Sequence, residues 1–212
     1  MNVDFRLNPF PHIFIDQFYD ESRYNAVWRE VMHLYPKMQP PNETGAARDS
    51  RGIPRKKGMG IFVDSVYTDR GFSDIITTNM QILSHNFKFK VEEFSNLPEA
   101  FYFKLYRLID PIPRFGVLLQ LYTNGDYYKP HEDTCVFTSV LVLNSPEKKY
   151  SGGELYFPEY DHTINVENNQ MIIFPSIAQH EVKEVKMNSD NPEDGRFSIS
   201  MLMFKSSSEH QG

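Results

Sequence analysis

Cysteine is nearly absent from this chain: Cys135 is the single one in 212 residues. No disulfide can close within the chain, and no zinc site built on several thiolates is available. A lone cysteine at the head of an apolar run is expected to be a small buried residue. Long apolar runs are also missing. None approaches the roughly 18 residues that a membrane span needs, and MNVDFRLNPFPHIFID lacks the basic flank and apolar core of a secretory leader. A cytoplasmic protein with no membrane partner is therefore expected. Positive charge is not in excess: the net charge of −6 gives no global pull toward nucleic acid or anionic lipid. Repeats and low-complexity tracts are absent. What the chain does have is aromatic side chains, 17 Phe and 12 Tyr, within a hydrophobic content of 40% that is enough for a core. The length suits one domain over 1–212, with helical and loop support over 1–100 and a core over about 101–205.

The two halves differ in texture. PHIFIDQF suggests a short edge strand near residues 12 to 15, and Asp16 or Asp20 can cap the next element. Tyr24, Val27, Trp28, Val31 and Leu34 fall at helical spacing, so 22–34 is expected to be a helix with Trp28 as its anchor. Residues 36–60 are rich in Pro, Gly and charge and read as a long loop, a candidate lid. Its basic cluster Arg51, Arg55, Lys56 and Lys57 reads as solvated surface. A second helix is expected over 73–85, capped by Ser73.

From Arg114 onward the runs are short and rich in β-branched and aromatic residues: RFGVLLQLYTN, TCVFTSVLVLN, GELYFPEY, HTINVENNQMIIFP, HEVKEVKM and RFSISMLMF. Turn sequences separate them, with no helical pattern between. This indicates an all-β sandwich or barrel whose sheet the N-terminal helices cover.

YYKPHEDTCV, residues 127–136, places His131 and Asp133 two apart. In a continuing strand both point to one face, with Glu132 turned away. Two histidines and one carboxylate on one side of an ion leave coordination positions open, which is the donor set of oxygen-using iron(II) enzymes. The chain has seven histidines. His180 lies between two strand candidates inside the β core, whereas His33, His85, His162 and His210 lie in helices, turns or tails. His180 is the choice for the third ligand. In RFSISMLMF the set Arg196, Ser198, Ser200 is polar and Phe197, Ile199, Met201, Met203 is apolar. An arginine on an inward strand face needs an anion, because a buried unpaired charge is costly. A carboxylate gripped by two parallel hydrogen bonds fits.

Gln120, Tyr122, Gly125, Tyr128, Pro130, His131 and Asp133 form Q-x-Y-x-x-G-x-x-Y-x-P-H-x-D, followed by SGGELYFP at 151–158, FPS at 174–176, His180 and Arg196. Over about 100–204 this resembles the iron(II)- and 2-oxoglutarate-dependent dioxygenases, in particular the prolyl 4-hydroxylase-like branch. The resemblance implies a mainly β fold, a double-stranded β-helix of jelly-roll, cupin-like type. His131, Asp133 and His180 would hold Fe(II). Arg196 and Tyr122, with Ser198 beside them, would hold the distal carboxylate of 2-oxoglutarate. The stretch from His180 to Arg196 is longer than usual in the family and reads as an enlarged hairpin. The implied reaction uses O2, converts 2-oxoglutarate to succinate and CO2, and hydroxylates an unactivated C–H bond, with ascorbate as a stimulant. Retention of Asp133 favours hydroxylation over halogenation. No second arginine follows Arg196 in the last strand, which speaks against a nucleic-acid substrate.

Tyr128, Tyr127 and Arg114 are the candidates for the substrate wall. The family motif matches Tyr128, while simple alternation puts Tyr127 on the His131 side; a bulge would reconcile the two. Gly152 and Gly153 are expected to permit a close backbone approach. Among substrates, a peptide or protein proline hydroxylated at its 4-position stands first, by family analogy. A free amino acid or small metabolite is the second reading. A non-catalytic, cupin-like metal-binding module is the alternative from another class.

Overall fold

The computed structural model describes residues 1–83 and 114–204. The N-terminal part runs β1 (Asn2–Arg6), β2 (His12–Asp16), α1 (Glu21–Leu34), β3 (Lys56–Lys57), β4 (Met59–Phe62) and α2 (Asp74–Ile82). Then come β5 (Arg114–Tyr122), β6 (Tyr127–His131), β7 (Phe137–Leu143), β8 (Tyr150–Gly152), β9 (Leu155–Phe157) and β10 (His162–Ile164). The chain ends with β11 (Gln170–Pro175), β12 (His180–Val182), β13 (Val185–Met187) and β14 (Arg196–Phe204). A seven-stranded sheet has the order β1-β2-β11-β7-β14-β5-β4, and a five-stranded sheet the order β10-β9-β12-β6-β3. The strands pair antiparallel throughout. This is the double-stranded β-helix, with both N-terminal helices packed on one sheet.

Strand alternation explains the two cores. In β14, Phe197, Ile199, Met201 and Met203 join Leu119, Leu121, Leu141 and Leu143 against Val27, Val31, Ile75 and Ile76 of the helices. Trp28 meets Phe197 edge-on at 5.5 Å between ring centroids, so it does anchor α1. The opposite face of the large sheet supplies Tyr122, Val140, Ile172 and Phe174, which pack on Leu155, Phe157 and Val182 of the small sheet. The functional cleft opens in this inner layer.

The helices follow their caps. Asp20 accepts from Arg23 N at the start of α1, and Ser73 accepts from Ile76 N at the start of α2. Buried Glu30 of α1 accepts from Ser73 Oγ at 2.8 Å and from Ile75 N at 2.7 Å. A carboxylate thus sits at the N-terminus of α2, where the helix dipole favours it. The end of the expected second helix, 84–85, lies outside the described residues.

Three expectations change. Residues 12–15 are not an edge strand: β2 is flanked by β11 and by β1, which takes the edge. The expected loop 36–60 contains β3 and the start of β4, and these extend the two sheets. The stretch after His180 is not a hairpin with β14, because Val185–Met187 pairs with β8 instead.

Candidate metal centre and its cleft

β6 and β12 bring two histidines face to face: His180 pairs with His131. His131 Nδ1 lies 2.9 Å from Lys129 O, and His180 Nδ1 lies 2.9 Å from Ala178 O. A carbonyl can only accept, so each Nδ1 carries a proton, and in the neutral ring that leaves the lone pair on Nε2. Burial and the neighbouring His180 hold the His131 imidazole well below its ordinary pKa, against the opposing pull of Asp133. A neutral ring is the form that ligates a metal.

Asp133 joins them. It lies beyond the end of β6, not in a continuing strand. Its position comes from two hydrogen bonds: Asp133 N donates to Ser176 O at 3.1 Å, and Thr138 Oγ1 donates to Asp133 Oδ2 at 2.6 Å. Thr138 Oγ1 also lies 2.9 Å from Ser176 Oγ, which is 3.0 Å from Cys135 Sγ. Cys135 is part of this supporting net, half-buried and not a core residue. His131 Nε2 is 3.8 Å from Asp133 Oδ1, and His180 Nε2 is 3.6 Å from Asp133 Oδ2. Among the described residues these three form a group whose ligand atoms all lie within 4.8 Å of one another. The 3.6 and 3.8 Å separations are short enough for each pair to share one ion, since two atoms each about 2 Å from an ion lie at most about 4 Å apart.

The cleft beside them has about 660 Å³ of empty space counted out to its mouth. Thr44, Gly45 and Ala46 form one wall, with Tyr122, Tyr128, Ser198 and Ser200 among the others. The segment that includes 44–57 is fastened over it. Ala47 N donates to Tyr128 Oη at 2.8 Å, Lys129 N donates to Arg55 O at 3.0 Å, and Arg55 Nη1 donates to Pro130 O. Tyr128 stacks on His131, with centroids 3.5 Å apart and planes 12° from parallel. The register between β6 and β12 shifts, with His180 opposite His131 and Val182 opposite Tyr128. That bulge puts Tyr128 on the His131 side. Tyr127 pairs with Lys57 and lies under Lys129 Nζ at 5.4 Å, and it does not line the cleft. Arg114 opens β5 opposite Phe204, at the far end of the ladder from Tyr122, and its side chain lies outside the described residues.

Arg196 pairs with Tyr122 across β14 and β5 and is 1% exposed. Neither of its Nη atoms has a hydrogen-bond partner among the described residues. Its guanidinium lies 5.7 Å from the Tyr122 ring centre. Burial lowers its pKa, partly offset by Tyr150, Tyr122 and Glu154. Gly153, at φ +77°, lets it lie there, since a Cβ would come 2.5 Å from Arg196 Cδ. Gly152, at φ +74°, is equally tight, because a Cβ there would overlap Glu184 O.

Lys56 corrects the reading of a solvated basic cluster. It is 5% exposed and lines the cleft. Its Nζ donates to Gln120 Oε1 at 2.8 Å. The same oxygen accepts from Tyr122 Oη at 3.0 Å, and Gln120 Nε2 donates to Ser200 Oγ at 3.0 Å. Burial pushes the Lys56 ammonium down to about 7, opposed by Asp126. β-alternation accounts for the split in the Lys56–Lys57 pair: Lys56 turns in, while exposed Lys57 turns toward Asp126 at 3.9 Å. Residue type alone carries no signal for this. Gln120 stands in the family motif without an assigned role.

Three proteins of known structure are similar in fold. A prolyl-4-hydroxylase from Pseudomonas putida matches with a TM-score of 0.62 at 16% identity, over 92% of each chain. The viral collagen prolyl hydroxylase vCPH from Paramecium Bursaria Chlorella virus-1, in its 2OG complex, matches with a TM-score of 0.52 at 16% identity, over 90% of this chain and 94% of its own. OsALKBH1 matches with a TM-score of 0.57 at 13% identity, over 91% and 97%. No curated protein matches the chain in sequence at a significant level. Residues 117–204 match the 2OG-Fe(II) oxygenase superfamily. That segment holds all three clustered ligand side chains and Arg196.

Proposed function

We propose that the protein is an Fe(II)- and 2-oxoglutarate-dependent dioxygenase that hydroxylates an unactivated C–H bond. The observation that carries this reading is the arrangement of two lone-pair Nε2 atoms and one carboxylate on one side of a cleft. His131, Asp133 and His180 would hold the iron, leaving the cleft side of the ion free for other ligands. Bound iron, with 2-oxoglutarate and O2, supplies the oxidising power, and succinate and CO2 leave as co-products. The carbonyls of Lys129 and Ala178 fix both rings, and Thr138 holds the carboxylate.

The orphaned guanidinium of Arg196 fits the distal carboxylate of 2-oxoglutarate, for it is buried, cationic and without a hydrogen-bond partner at its Nη atoms. Tyr122 and Ser198 would complete that end. Tyr128, stacked on His131, would form the wall against which the substrate sits, and the fastened segment that includes 44–57 would keep bulk water from the reacting centre. The unit that carries this chemistry is the whole of 1–212, with the N-terminal helices and strands supporting the sheet.

For the substrate, peptidyl proline hydroxylated at its 4-position stands first, supported by fold analogy with the two prolyl hydroxylases. A free amino acid or small metabolite is the second reading, favoured by the buried amine of Lys56 in the cleft. We read the protein as a cytoplasmic enzyme stimulated by ascorbate, acting on peptides or small molecules and not on nucleic acid. Among the described residues no helix is long and apolar enough to cross a membrane. The test is succinate formation from 2-oxoglutarate with Fe(II) and ascorbate, with and without O2, in the presence of proline-rich peptides or a pool of free amino acids. Oxygen-dependent succinate that rises with one pool supports the reading and names the class. No succinate and no 2-oxoglutarate binding would leave a non-catalytic metal-binding module.

A further inference from the structure

Lys56 is a buried cation that the proposed oxygenase chemistry does not use. Lysine is almost never fully buried unless paired. Here Nζ has three hydrogens to donate, and it donates to the neutral Gln120 Oε1. The groups around it are the Tyr122 and Tyr128 rings, whose centres lie 5.4 and 5.9 Å away, and buried Asp126 acts on it electrostatically. Asp126 is committed elsewhere: its Oδ2 accepts from Thr123 N and Thr123 Oγ1, both at 2.9 Å. No carboxylate forms an ion pair with Lys56 among the described residues.

Charge balance points the same way. A divalent ion held there would be offset by Asp133 and by one carboxylate of 2-oxoglutarate. The other carboxylate would offset Arg196, which is not itself among the residues lining the cleft but pairs with Tyr122, which is. Nothing in that set remains for Lys56. β3 also places Lys56 opposite Tyr128, the residue stacked on His131, so the amine faces the space beside the metal ligands. We propose that Lys56 is a specificity-determining residue that binds a carboxylate of the primary substrate, which is therefore a free amino acid or another small carboxylic acid, or a peptide presenting its own carboxylate there. The proposal rests on the oxygenase reading above.

The test uses the full chain loaded with Mn(II), comparing wild type with Lys56→Met and Lys56→Arg, each first checked for folding by circular dichroism. Calorimetry gives the affinity for 2-oxoglutarate. It then gives the affinity for L-proline, L-glutamate and propionate, each beside its carboxamide, in protein saturated with N-oxalylglycine. The expected result is that at least one acid binds wild type about tenfold or more tighter than its amide. That preference should vanish in Lys56→Met and return in Lys56→Arg, with 2-oxoglutarate affinity unchanged within about twofold in all three. Lys56→Met weakening 2-oxoglutarate itself would assign the amine to the co-substrate and overturn the proposal. Equal binding of acids and amides, or no binding of any probe to wild type, would overturn it as well. Failure of wild type to bind 2-oxoglutarate in a metal-dependent way would be a different result, sinking the oxygenase reading beneath it.

Discussion

His131 and His180 face each other across the β6–β12 ladder with ring centroids 4.3 Å apart, and each donates its Nδ1 hydrogen to the carbonyl two residues before it. The same local turn, used twice, aims two Nε2 lone pairs at one place. Neither ring needs a partner from elsewhere in the fold to hold its tautomer. The carboxylate differs: Asp133 has no ladder to fix it and depends on Thr138.

Replacing Thr138 by Val tests that dependence. The change removes the 2.6 Å hydrogen bond to Asp133 and leaves Ser176 with one partner fewer. Loss of such an outer hydrogen bond typically weakens metal binding about 10- to 100-fold. Stability should fall by about 1–2 kcal/mol. Mn(II) titration and thermal melts measure the two effects separately.

Arg196→Met should separate stability from ligand binding. An unpaired buried guanidinium is destabilising, so the ligand-free variant is expected to be more stable than wild type by about 1–3 kcal/mol. The same change should weaken 2-oxoglutarate by about 100-fold or more, since it removes a charged, bidentate partner. Added 2-oxoglutarate should then raise the melting temperature of wild type but barely move the variant.

Lys56 gives a pH signature. Its pKa is lowered by burial, from 10.5 to about 7, with Asp126 opposing. Between those values the unfolded chain holds a proton that the native protein lacks. Unfolding free energy therefore rises with pH across that window, and below pH 7 the full cost of the buried charge is present. Lys56→Met abolishes this contribution. The variant should be more stable than wild type at pH 6 by a few kcal/mol, and its lead should shrink toward pH 10 with a slope approaching about 1.4 kcal/mol per pH unit. Denaturant unfolding at a series of pH values reads the difference, and a lead independent of pH would contradict the burial argument.

Tyr128→Phe should loosen the cover of the cleft. Tyr128 Oη accepts from Ala47 N at 2.8 Å, and phenylalanine has no oxygen to offer. The ring can still stack on His131. Hydrogen exchange in 44–57 should speed up by about tenfold, the equivalent of one lost hydrogen bond, while exchange in β7 and β14 stays unchanged. Protection unaltered in 44–57 would mean that the segment is held by β3 and Arg55 alone.

Much of this is readable from residue order, and for identifiable reasons. RFSISM alternates strictly, so its inner face of Arg196, Ser198 and Ser200 comes from period two alone. His131 and Asp133 stand out by spacing, although the strand stops at His131 and the loop completes the geometry. The competing claims of Tyr127 and Tyr128 require a bulge, and the β6–β12 ladder has one. Lys56 is opaque because a lysine pair in a Pro- and Gly-rich stretch resembles solvent-exposed sequence. Only its pairing with Tyr128, far along the chain, turns it inward. β1 gives little signal because NVDFR buries little of itself. Cys135 likewise owes its place to Ser176, distant in sequence and adjacent in space.

The most direct test of the central claim is calorimetric binding of 2-oxoglutarate to the full chain, without metal, with Mn(II), and with Mn(II) in His180→Ala. Cooperation of His131, Asp133 and His180 on one ion predicts tight binding only in wild type with metal, and loss of about 100-fold or more in the variant. Binding of 2-oxoglutarate that ignores both the metal and His180 would contradict it.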